Sequence, residues 1–62
     1  LTDENAQKII KDHCHVYHAL DLQRFDANKR NLYLKDLKEV YGLSIRQIER
    51  LTGICRGIIQ RV

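Results

Sequence analysis

Sixty-two residues leave room for one small core, and a chain this short buries only about 60% of the surface its unfolded form exposes. The absence of Pro, the presence of only three Gly and an apolar content of 44% exclude a turn-rich β fold and point to an all-α domain of four to five helices. A net charge of +3 is too small to diagnose a partner, and no apolar run approaches the roughly 20 residues of a membrane span, so neither a membrane segment nor a signal peptide is expected.

In chain order, Thr2 offers a hydroxyl to free N–H groups, and Asp3 and Glu4 follow where a helix dipole favours acids, so a first helix is expected to start here. Ala6, Ile9, Ile10, His13 and Tyr17 recur at three- and four-residue spacing and form its expected core face. Residues 19–25 read as a short second helix presenting Leu20, Leu22 and Phe25. Asp26 is the expected N-cap of a third helix over residues 27–41, with Tyr33, Leu34, Leu37, Val40 and Tyr41 as its apolar stripe. Gly42 closes it in the left-handed conformation. Ser44 caps a helix over residues 45–51, Thr52 and Gly53 break it, and a last helix runs from about residue 55 to the end.

Charge is unevenly spread. Residues 1–28 hold three basic against five acidic side chains, a balance of −2, whereas residues 29–62 hold eight against three, a balance of +5. A polyanion prefers the second half.

That half ends in helix-turn-helix grammar over residues 43–62, where a turn glycine, Gly53, joins two short helices. Ile45, Ile48 and Leu51 face inward from the first, and Ile54, Ile59 and Val62 seal the second against it. The polar positions of the second helix, Cys55, Arg56, Gly57, Gln60 and Arg61, are then directed outward, where such helices meet the major groove. Arg56 and Arg61 suit guanine O6 and N7 or phosphate, Gln60 suits adenine, and Gly57 permits close approach. Arg46, Gln47 and Arg50 on the first helix are expected to position the DNA backbone. The plainer alternative is a helical hairpin whose arginines form a solvated face.

The run Leu43-Ser-Ile-Arg-Gln-Ile-Glu-Arg-Leu-Thr-Gly-Ile-Cys-Arg-Gly-Ile-Ile-Gln-Arg61 resembles the C-terminal segment of bacterial single-tyrosine transposases of the HUH type, the REP-associated and insertion-sequence-like kind. Similarity extends upstream over Thr2 to Ala6, Ile9 and Ile10, Leu22 and Gln23 through Lys29 and Arg30, and Leu37 and Lys38. The resemblance implies an accessory domain that helps a transposase, or a domesticated relative, find its DNA, with the family's α/β catalytic unit lying elsewhere. Two positions depart from helix-turn-helix habit. Glu49 stands where a small residue is usual and is expected to turn outward or pair with Arg46 or Arg56, and Cys55 is a poorer cap than Ser or Thr.

His13, Cys14, His15 and His18 invite a zinc reading, but no second ligand pair with structural-site spacing exists, and His13 lies on the apolar face, away from His15. The same histidines with Tyr17 imitate the family's catalytic constellation, yet they belong to a helical period with no strand beside them. A disulfide between Cys14 and Cys55 is not expected in a reducing compartment.

The expectation is therefore a non-enzymatic, cofactor-free DNA-binding domain of a transposase or transposase-derived protein, cytoplasmic and nucleoid-associated, acting on double-stranded DNA. Leu1 in place of an initiator Met suggests a fragment of a longer chain, so homodimerisation or contact with a missing catalytic domain is expected too. Competing readings are the DNA-binding domain of a transcriptional regulator and a helical protein-interaction module.

Overall fold

Thr2 Oγ1 accepts the amide of Asn5 at 3.2 Å and starts α1 (Asp3–Cys14) in the computed structural model, which describes residues 2–62. The helix stops one turn before Tyr17 because His15 takes the left-handed conformation at φ 57° and the Val16 amide donates back to Lys11 O at 3.2 Å. Ala6, Ile10 and Cys14 are the buried face, with Ile9 and Val16 partly buried beside them. Tyr17, expected in the core, is instead 95% exposed, since the left-handed residue ends the helical period on which that expectation rested.

The short second element is a 3-10 helix, η1 (Ala19–Arg24), capped by His18 Nδ1, which accepts the Leu20 amide at 3.2 Å. Three residues per turn put Ala19 and Leu22 on one inward line. Leu20, expected inward, turns out and is 48% exposed, while Phe25 packs partly buried against Tyr33 with centroids 5.6 Å apart.

Asp26 Oδ1 accepts the Lys29 amide at 3.0 Å and opens α2 (Ala27–Glu39). Its last turn widens: Asp36 O accepts from both Val40 and Tyr41, and the Leu43 amide returns to Leu37 O at 3.0 Å across Gly42 at φ 71°. Leu43 thereby takes the core place expected for Val40 and Tyr41, which are 70% and 37% exposed.

Ser44 Oγ accepts the Gln47 amide at 3.1 Å and starts α3 (Ile45–Thr52), and after Gly53 the chain forms α4 (Arg56–Arg61). All five helices feed one core, joined by Leu34 and Leu37 of α2, Ile48 of α3, Ile54 and Ile59. Helix α3 is its hub, packing against α1, η1, α2 and α4 within a body of 25 × 21 × 19 Å. The domain is all-α and ends in a helix-turn-helix; no helix among the described residues is long and apolar enough to cross a membrane.

Candidate nucleic-acid interface

The turn between α3 and α4 is built by Thr52 and Gly53. Thr52 is fully buried, and its hydroxyl donates to Ile48 O at 2.6 Å while accepting the Ile54 amide at 3.2 Å, so one side chain closes α3 and directs the exit strand. Gly53 follows at φ 72°, a conformation that costs a β-branched residue of order 1–3 kcal/mol. A Cβ there would also clash with Gln23 Nε2, and that amide is already occupied, donating to Thr52 O at 2.8 Å. Gln23 on η1 thus ties the second element to the turn.

Ile48, Ile54 and Ile59 are buried and Ile45, Leu51, Ile58 and Val62 pack around them, which fixes the outward face of α4 by exclusion. Cys55, Arg56, Gln60 and Arg61 are exposed on it, with Gly57 half-buried between them. Cys55 makes no capping bond. That work falls to Glu49 of α3, whose Oε2 accepts the Arg56 amide at 3.1 Å and whose Oε1 lies 3.6 Å from Arg56 Nη2. The carboxylate that disturbs the usual pattern therefore pairs with Arg56, not Arg46.

The other end of α4 is held from α2, where Lys38 Nζ donates to Ile59 O and Val62 O, each at 2.8 Å. An ammonium group is the favourable partner for carbonyls left free at a helix C-terminus. Neither Lys38 nor Gln23 was expected at this site, and Thr52 was expected only as part of the break, not as a buried hydrogen-bonding group. Only Thr52 carried a local signal, a hydroxyl one residue before a helix-ending glycine.

Three α3 residues separate in role. Arg46 is exposed and, with Gln60 and Arg61, carries no ion pair or hydrogen bond among the described residues. Gln47, expected to touch the DNA backbone, is instead 7% exposed and its amide donates to Asp3 Oδ1 at 3.2 Å. Arg50 reaches the same oxygen at 2.6 Å. Packing of α1 on α3 brings Asp3 to this face, a contact across 44 and 47 residues that no local pattern announces. The hydrogen bond from Arg50, then that from Gln47, holds the Asp3 carboxyl below its ordinary range.

Beside α4 an open groove of about 570 Å³ is lined by Asn28, Asn31, Leu32 and Lys35 of α2, with Arg61 and Val62. Its α2 residues repeat at three and four positions along one helical face, so two cations and two amides border it without an acid.

The histidine-rich segment is dispersed. His13 Nε2 lies 3.0 Å from Asp36 Oδ2 and Nδ1 lies 3.3 Å from the Tyr41 hydroxyl, each within hydrogen-bonding distance, with Tyr33 and Tyr41 packed edge-on at 5.5 and 5.1 Å. His15 terminates α1, His18 caps η1, and Cys14 is buried with its thiol pushed up to about 11 by burial first and the Asp36 charge second. Cys14 and Cys55 are both free thiols. No group of three or more potential metal ligands comes together among the described residues.

Comparison with protein-family models, curated proteins and solved structures gives no match for this chain.

Proposed function

We propose that this chain is a double-stranded DNA-binding domain that presents α4 to the major groove. The observation that carries the proposal is the α3–α4 joint: an apolar seam and a left-handed glycine hold a short helix so that Arg56, Gln60 and Arg61 project from one side, and Arg46 is exposed on α3. Arginine forks fit guanine edges and phosphates, and a Gln amide fits adenine. Lys35, Asn28 and Asn31 flank α4 across the groove and suit a phosphate backbone, which accepts from both ammonium and amide donors. Arg50 and Gln47 contribute less directly, since Asp3 engages both.

On the resemblance of residues 43–61, the parent is a transposase or a transposase-derived protein, and this domain tethers it to its DNA. A transcriptional regulator would use the same surface. An upstream histidine pair and catalytic tyrosine in the parent reading frame would distinguish the two.

Binding to a labelled random duplex, followed by fluorescence anisotropy over a salt series, tests the function. Each neutralised phosphate lowers log K by about 0.9 per decade of salt, so Arg46 and Arg61, with Lys35 across the groove, predict a slope of roughly −3. Replacing all three by Ala should flatten it. No binding, or binding indifferent to salt, would favour a protein-interaction module.

A further inference from the structure

We infer that Glu49 is the positioning residue that turns Arg56 into a guanine reader: it anchors the start of α4 and holds the Arg56 guanidinium off the phosphate backbone. This inference rests on the DNA-binding function proposed above and assigns one base class to its surface.

One carboxylate serves two parts of the same residue. Glu49 Oε2 accepts the Arg56 backbone amide at 3.1 Å, which fixes where the carboxylate sits. Oε1 then lies 3.6 Å from Nη2, so the flexible end of the side chain is attracted to a point that its own backbone defines. Ion pairing at that distance takes up one edge of the guanidinium and leaves its other donors free. The pair is half-exposed, at 54% for the Arg56 side chain and 37% for Glu49, and it stands on the outward face of the α3–α4 unit.

Charge gives the arrangement its consequence. A lone arginine on a DNA-facing helix gains most from the nearest phosphate, which it meets in any sequence. A fixed carboxylate beside it repels phosphates and offsets the guanidinium charge, so the pair has little to gain from the backbone. A guanine edge differs, because O6 and N7 are two neutral acceptors spaced for the arginine fork. Drawing the fork toward Glu49 also narrows its range of positions before binding, which favours the contact that needs one geometry over contacts that accept many. Glu49 thus trades general affinity for discrimination, and its presence where helix-turn-helix segments ordinarily carry a small residue follows from that exchange.

The discriminating feature is opposite signs. In Glu49→Gln the amide oxygen can still accept the Arg56 amide, so the fold is retained while the charge is lost. Selecting a site from a random-sequence duplex pool with the unaltered chain, then measuring Kd on that site, on single-base variants and on random duplex, gives both readouts. Glu49→Gln should bind random duplex about threefold more tightly, because a negative charge has left the surface. At one guanine of the selected site its preference over the other bases should fall about tenfold, the size of a bidentate contact. Arg56→Lys, which keeps the charge and loses the fork, should lose preference at the same guanine without weakening on random duplex.

If Glu49→Gln weakens specific and random binding equally, Glu49 is only a helix cap and the inference fails. Unaltered binding of both kinds, or lost preference at a base other than guanine, overturns it as well. Should the unaltered chain bind random duplex with the salt dependence above yet enrich no site, the inference falls and the DNA-binding function stands. Should it bind no duplex, both fall.

Discussion

Helices α3 and α4 form one unit but are held in different ways. Helix α3 carries its own start signal in Ser44 and its own stop in Thr52 and Gly53, and it is packed by four neighbouring elements. Helix α4 spans six residues, has no capping side chain of its own, and borrows both ends: Glu49 from α3 at the start and Lys38 from α2 at the finish. Six residues are far below the length at which a helix sustains itself in water, so α4 exists because its surroundings hold it. The surface proposed to read DNA is thus the least autonomous helix in the domain, and its geometry is set by residues outside it.

The strongest way to break this comparison is at the joint both helices share. Gly53→Val forces a β-branched residue into a left-handed backbone and displaces Gln23 from Thr52 O, a loss of about 3 kcal/mol in all. For a domain of this size the melting temperature should fall by more than about 10 °C in thermal denaturation. An unchanged melting point would mean that the turn does not need glycine.

Lys38→Met separates the two helices more finely. It removes two donors from the end of α4 while keeping the length of the stem, at a cost of about 1–2 kcal/mol. Amide exchange should speed up in residues 58–62 and stay the same in α3. Uniform acceleration through both would show that α4 is no less self-sufficient than its neighbour.

Gly57→Ala shifts the balance the other way. A Cβ at Gly57 meets only Cys55 Sγ, at an ordinary 3.8 Å, so the fold has room for a side chain there. Alanine should raise stability by about 0.5–1 kcal/mol through helix propensity. If the bare backbone serves close approach to DNA, the same variant should bind a selected duplex more weakly, and calorimetry paired with a binding curve would show stability and affinity moving apart.

The smallest effect concerns α3 and its contact with α1. Because the folded Asp3 carboxyl lies below its ordinary range, its contribution is present above the unfolded value, near 3.8, and is lost as pH falls through the lower folded one. Urea midpoints should therefore decline over that acid window, and Asp3→Asn should remove part of the decline. It should also release Arg50, so that random-duplex affinity rises slightly. A decline identical in both proteins would assign the acid sensitivity elsewhere.

Much of this architecture was legible where one residue makes one local decision. Thr2, Asp26 and Ser44 each accept an amide three residues on, and Gly42 and Gly53 are left-handed, as their positions suggest. The seam of Ile48, Ile54 and Ile59 follows from spacing alone. What escaped depends on the backbone leaving its expected path or on contacts distant in sequence. His15 turns left-handed without being glycine, which takes Tyr17 out of the core, and no periodicity reveals that. Gln47 reads as a polar surface residue until α1 brings Asp3 against it. Lys38 and Gln23 acquire their partners only when the tertiary fold presents carbonyls to them, across 21 and 29 residues.

The most direct test of the account is an NMR titration of the ¹⁵N-labelled chain with a short duplex at low salt. Perturbed amides and arginine side chains should concentrate on Arg46 and on residues 55–61, with weaker effects at Asn28, Asn31 and Lys35, while the exposed face of α1 stays unperturbed. Shifts clustered on α1 or around Tyr17 and Leu20, or no shifts at all, would contradict the claim that α4 and its borrowed supports form the DNA-facing surface.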